Sequence, residues 1–300
     1  YLGGPHPGLG WDAPIAIGTL TAALAALMAG VSLTWSLAGL ARAWEPLAYY
    51  GARFWAPGHL LPFVYTQLML VAWIWLAREV WRPLPLGARA LSALLILGVL
   101  PLLAVVPVLF DHAPDSPEAR LAFTRLMQWG NGLAAVPIGL ALLIALVRGR
   151  GGETAPAAVP VRRALAASLT LFSAGGVLSM LISGSNTRVP AHYPGSIVGV
   201  TLALMGLTYL VLPRLGLQAP SGRMARLQPW IYGGGQLLHI GGLAVSGALG
   251  IQRKTAGAAQ GLDGLTAKAA MGVMGLGGLL AVIGGILFVL VVIGAWRRGS

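Results

Sequence analysis

Six residues carry most of the chemistry open to this sequence: His59, Asp111, His112, His192, Arg253 and Lys254. Imidazole and carboxylate groups ligate metal ions, and an imidazole nitrogen is an axial ligand for heme iron. Guanidinium and ammonium groups pair with carboxylates such as heme propionates. The set stands out because polar groups are scarce, with five histidines in 300 residues and only 9% charged residues. Each also has a plainer reading. His59 and His192 could simply lie at a membrane interface, Asp111-His112 could be an ordinary helix end, and Arg253-Lys254 a solvated pair. His239, inside a glycine-rich run, reads as a histidine bonded to a neighbouring helix. The choice depends on whether the elements bearing these residues deliver them to one place.

Composition fixes the class of those elements. Hydrophobic residues make up 57% of the chain and charged residues 9%, against about 25% charged in a soluble domain. This is the composition of an integral membrane protein. The absence of cysteine excludes disulfides, iron–sulfur clusters and thiolate ligands. The net charge of +12 comes from arginines standing singly or in pairs between apolar runs. That pattern fits membrane topology and no nucleic-acid partner. The sequence opens on Tyr1 without a signal-peptide pattern, so processing or a start further upstream is expected.

A membrane-spanning helix needs about 20 apolar residues. Eight runs predict spans, over 13–41, 55–77, 90–110, 121–147, 162–184, 192–212, 229–249 and 270–296. The predicted fold is an all-α, polytopic transmembrane helix bundle, a single domain over 1–300. The connections 148–161 and 250–268 read as surface loops. Glycine pairs and triplets at 175–176, 233–235, 277–278 and 284–285 would let helix backbones approach closely. Twelve of the 20 Lys and Arg, Arg82 and Arg150 among them, fall on the side carrying both termini, and eight, including Arg42, on the other. Both termini are therefore expected in the cytoplasm, and the protein in a prokaryotic inner (plasma) membrane. On this topology His59, Asp111-His112, His192 and Arg253-Lys254 come from four spans and all fall near the outer surface. His6 falls on the opposite side. Glu45, on the outer side, reads as an exposed loop carboxylate more readily than as a proton donor.

In this order the residues resemble the catalytic subunit of the heme-copper oxidase superfamily, which includes cytochrome c oxidases and nitric oxide reductases. Phe54-Trp55-Ala56-Pro57-Gly58-His59 resembles the family's F-W-x-x-G-H, whose histidine binds the non-heme metal. Asp111-His112 falls where the family has a His-His pair for that metal, and Ala135-Val136-Pro137 follows at a similar spacing. Asn186-Thr187 and Val189-Pro190-Ala191-His192-Tyr193-Pro194 resemble N-T…V-P-G-H-F-H, where the first histidine holds the active-site heme. Ile251-Gln252-Arg253-Lys254 resembles the propionate-binding x-P-R-R. The series covers nearly the whole chain and matches the family's fifth to twelfth helices.

The resemblance implies a heme on His192, propionates on Arg253 and Lys254, and a second metal, copper or iron, on His59, His112 and Asp111. It implies an oxidoreductase of the terminal oxidase or nitric oxide reductase type, acting in respiratory electron transfer or reduction of a small diatomic, NO or O2. Its partners would be other membrane subunits and an electron-donating cytochrome or quinol-linked subunit. Three departures bear on activity. Asp111 replaces an imidazole, which favours iron over copper. Pro194 stands where the family has its low-spin heme ligand, so that heme is not expected here. Phe63 and Tyr65 do not reproduce the family's crosslinked tyrosine. The spans at 13–41, 121–147, 162–184 and 270–296 hold almost no ionisable groups, so no proton pump is expected. The alternative is a catalytically degenerate membrane anchor or electron-conduit subunit of a larger respiratory complex. A transporter would need polar groups near the midplane, and only His239 answers to that.

Overall fold

The computed structural model describes residues 12–40, 45–81, 83–148, 158–182, 184, 186–255, 257–262 and 264–299. His6, Arg42, Arg82, Arg150 and most of the 148–161 connection lie outside the described residues. Among the described residues the fold is helical, with one isolated antiparallel bridge between Asn186 and Gln252. The helices are α1 (Asp12–Gly39), α2 (Pro46–Arg53), α3 (Trp55–Val80), α4 (Ala88–Leu97), α5 (Val105–Asp111), α6 (Pro117–Arg125), α7 (Gly132–Val147), α8 (Val159–Met180), α9 (Arg188–Val211), α10 (Arg223–Ala248) and α11 (Leu265–Gly299).

Seven helical segments among the described residues are long and apolar enough to cross a membrane. Eight spans were expected. The eighth segment, α10, is a helix of 26 residues, so its existence is as expected. Its six glycines, with Arg223 and Arg226 in the first turn, dilute its apolar character. Two expected spans are not single helices. The run 90–110 breaks between α4 and α5, where Gly98 ends α4 and Pro101 stands within a 3-10 stretch over Leu100–Ala104. The run 121–147 contains a π-helical turn over Leu126–Gly130. α2 was not expected. Glu45 starts it, its Oε2 accepting from Ala48 N at 3.0 Å, a helix cap.

The chain divides into two compact units, residues 1–74 with 84–141 and residues 75–83 with 142–300. In the first unit, α1, α3, α5 and α6 pack through Ala25, Ala29, Leu60, Phe63, Val105 and Phe123. The far end of α1 meets the α5–α6 turn, since a methyl at Gly39 would stand 2.7 Å from Pro114 Cγ. Trp55 Nε1 donates to the carbonyl of Arg120 at 3.2 Å, joining the start of α3 to α6. His59 and Asp111-His112 thus sit at the same end of this unit.

The second unit is built on α8 to α11. Ala167, Leu171, Leu202 and Ile240 form its apolar centre. Only some glycines in these runs do the packing. A methyl at Gly175 would lie 2.5 Å from Ser196 N, and one at Gly235 2.6 Å from Ala281 N, whereas Gly176 and Gly234 face open space. A polar staple crosses the apolar interior. Tyr209 O–H donates to Gln228 Oε1 at 3.0 Å, and Gln228 Nε2 donates to the Gly284 carbonyl at 3.2 Å. Gln228 is fully enclosed, and its bonds tie α9, α10 and α11 together. Arg214 pairs with Glu79 at 3.3 Å and lies over the Trp75 ring, 5.1 Å from its centroid.

Candidate functional site

His192 occupies the second turn of α9. Its Nδ1 lies 2.8 Å from the carbonyl oxygen of Gly175 on α8. A carbonyl only accepts, so Nδ1 carries the proton and Nε2 keeps its lone pair. Ser196 Oγ stands 3.4 Å from the same Nδ1. Metal-ligating histidines are commonly oriented in this way, with one ring nitrogen fixed by a backbone carbonyl. The bond exists because Gly175 and Gly195 bring two backbones into direct contact. A side chain at either position would separate α8 from α9 and withdraw the carbonyl from the ring.

The loop after α10 is tied to the same end of α9. Thr187 N donates to the Ile251 carbonyl at 3.0 Å, and Thr187 Oγ1 to the Leu243 carbonyl at 2.9 Å. With the Asn186–Gln252 bridge, these bonds hold the turn that carries Arg253 and Lys254 against the start of α9. Lys254 is the one non-glycine with positive φ among the described residues, at 61°. Such a conformation costs about 1–2 kcal/mol and persists only where the surroundings enforce it. His192, Arg253 and Lys254 therefore share one end of this unit.

In the first unit His59 has a similar tautomer. Its Nδ1 lies 2.7 Å from the Trp55 carbonyl, one turn back on the same helix, and its ring packs 4.6 Å from the Trp55 ring. Asp111 and His112 are placed otherwise. Asp111 ends α5 and is exposed, and His112 is the extended residue that follows it. Among the described residues no three His, Asp or Glu side chains stand together as a metal-binding group. The trio His59, Asp111 and His112 is delivered to one end but is not gathered into a ligand set. Phe63 is part of the core and Tyr65 is exposed.

Several neighbours of these residues were not legible as site residues. Arg120 lies over the Trp55 ring, 5.2 Å from its centroid, and Arg53 over the Phe54 ring at 5.4 Å. The Nε atoms of both arginines are buried without a hydrogen-bond partner. Phe54-Trp55 beside Arg53 was the available signal, but it resembles an interfacial anchor. Gly175 and Ser196 were hidden for another reason: their role depends on how α8 meets α9. His239 is bonded to a neighbouring helix, as expected, with Nδ1 3.0 Å from the Met274 carbonyl of α11.

No family model matches the sequence. Among solved structures the chain is similar to a heme-copper terminal oxidase dimer determined by cryo-EM, with a TM-score of 0.60 and 16% identity. The match covers 93% of this chain and 56% of the oxidase chain. The fold is that of a heme-copper oxidase. Two curated relatives are similar in sequence, each described only as an uncharacterized protein. One, from Rickettsia prowazekii, is 28% identical over 282 residues, covering 81% of this chain and 54% of the relative. The other, from Aquifex aeolicus, is 28% identical over 187 residues, covering 61% of this chain and 43% of the relative. The chain thus spans about half the length of the proteins it matches. Its spans and its fold make it an integral membrane protein.

Proposed function

We propose that this chain is a heme-bearing subunit of a membrane respiratory complex, divergent within the heme-copper-oxidase fold. The observation that carries this reading is His192, whose Nδ1 is fixed by the Gly175 carbonyl at 2.8 Å so that Nε2 stays available to iron. Arg253 and Lys254 would hold the propionates from the turn tied to the start of α9. Bound there, the heme would supply one-electron chemistry. The chain's own part is to fix the imidazole tautomer, to offer cations to the propionates and to surround the group with apolar helices. Electrons would enter from other membrane subunits, through an electron-donating cytochrome or a quinol-linked subunit. The excess of Lys and Arg on one side supports cytoplasmic termini in a prokaryotic inner membrane, with the site at the outer face of a single transmembrane domain.

The second reading is an active oxidoreductase reducing NO or O2, with a second metal on His59, His112 and Asp111. The fixed tautomer of His59 favours it. Among the described residues, Asp111 and His112 are not gathered with His59 into a ligand set, which does not fit it. A catalytically degenerate electron conduit needs only the His192 site.

Heme and metal analysis of the purified protein, beside His192→Ala, tests the proposal. Wild type is expected to carry a high-spin heme that His192→Ala loses while remaining folded by circular dichroism. Full heme content in the variant overturns the axial role of His192. Carbon monoxide binding together with stoichiometric copper or iron would favour the enzyme over the conduit.

A further inference from the structure

The opposite end of the second unit carries a feature that the heme reading does not use. Arg163 of α8 and Arg223, Arg226 and Leu227 of α10 line a cavity of about 300 Å³. Arg163 Nη1 donates to the carbonyl of Arg226 at 2.7 Å, so one guanidinium is pinned across the helix pair at the rim. Arg223 and Arg226 are exposed at the first turn of α10. Among the described residues no carboxylate pairs with any of the three. Three converging cations repel one another, and an anion relieves that cost. The start of α10 adds to the field. Its N-cap, Gly222, supplies no side-chain cap, so the first-turn N–H groups and the positive end of the helix macrodipole face the same rim.

We propose that this cavity binds a phosphate group carried by an anionic phospholipid. The anion chemistry follows from the arginines, which pair with phosphate in a bidentate manner. The lipid source follows from what lies below them. Met224, Leu227 and Trp230 are each exposed by between 39% and 46% and descend α10 from the basic rim at three-residue steps. They form an apolar strip where acyl chains would run, with an indole suited to the headgroup level. A basic pocket between membrane helices is a recognised form of headgroup site. A soluble phosphate would use the arginines and leave the strip without a role.

The test uses the full chain purified in a neutral detergent. Binding of phosphatidylglycerol, phosphatidylcholine and inorganic phosphate is measured by thermal shift and native mass spectrometry. Phosphatidylglycerol is expected to bind and stabilise in preference to phosphatidylcholine. The double variant R223Q/R226Q changes two exposed side chains and keeps the Arg163 bond, which goes to a backbone carbonyl. It is expected to weaken phosphatidylglycerol binding on the order of tenfold, with partial recovery in R223K/R226K, which restores the charge but not the bidentate fork. Arg89→Gln, another exposed arginine, is expected to bind as wild type does. Unchanged lipid preference in R223Q/R226Q, or an equal loss in Arg89→Gln, overturns the proposal. Stabilisation by inorganic phosphate with no further gain from the lipid supports the phosphate site and overturns its lipid source. Wild type that does not distinguish phosphatidylglycerol from phosphatidylcholine and is indifferent to phosphate overturns both.

Discussion

The two units treat their site residues differently. In the second, His192 is held by a carbonyl from another helix, and the turn bearing Arg253 and Lys254 is bonded to the start of His192's own helix. In the first, His59 is held only by its own helix, while Asp111 is exposed at a helix end and His112 lies just beyond it. The sequence motifs were equally good in both. What differs is packing. Small residues at 175 and 195 bring two backbones together, so a side chain on one helix can use a carbonyl on the next. Near Asp111 a 3-10 stretch and a short α5 replace a continuous helix, and no neighbouring helix fixes the carboxylate. Motif order thus reports which end of a bundle a residue reaches. Close helix contact decides whether a neighbouring backbone holds it in place.

The sharpest way to break this contrast is to separate α8 from α9. Gly195→Leu forces a side chain against the Gly175 backbone, where even a methyl would stand 2.5 Å from Gly175 Cα. It is expected to cost about 3 kcal/mol or more of stability and to release His192, read as a lowered melting temperature together with lost heme. Gly176→Ala, facing open space, is expected to change stability by no more than about 0.5 kcal/mol. Equal effects from the two would remove the packing argument.

Cutting the polar staple comes next. Gln228→Leu leaves the buried Tyr209 hydroxyl without its acceptor and removes the second donor on the Gly284 carbonyl, and is expected to cost about 1–3 kcal/mol by thermal melt. The paired change with Tyr209→Phe should recover part of that loss. A smaller effect is expected from Arg253→Gln, which should weaken heme retention roughly tenfold on the ordinary worth of a charge-assisted bond, measured by heme transfer to an acceptor protein. The smallest belongs to the first unit. Asp111→Asn is expected to leave stability within about 0.5 kcal/mol and heme content unchanged. If it lowered bound metal, the first unit would hold a site after all and the contrast would fail.

Much of the fold was legible, because bilayer thickness sets a length that apolar runs must reach. The ends were read short. α9 starts at Arg188 where 192 was expected, and α10 at Arg223 where 229 was expected. In both cases the helix begins before the apolar run, through a segment that opens on an arginine. The 3-10 stretch at Leu100–Ala104 and the π turn at Leu126–Gly130 were invisible, since their side chains are as apolar as those of a regular helix. α2 is eight residues of mixed polarity with only Glu45-Pro46 to announce it. At the site, residue identities and helix ends could be read, but not the Gly175 carbonyl. A backbone oxygen has no signature in sequence, and its partner is chosen by how two helices meet.

The glycine content of α10 has a consequence for biosynthesis. Taken alone, this segment partitions weakly into hydrocarbon, because six glycines and a buried glutamine contribute little transfer energy. Its burial is supplied by neighbours, above all by α11, whose Gly277 and Gly284 abut its backbone. α10 is therefore expected to leave the translocon together with α11 as a hairpin. A nascent chain ending before residue 265 should leave α10 outside the bilayer on the cytoplasmic side, so that an acceptor introduced after residue 249 stays unglycosylated.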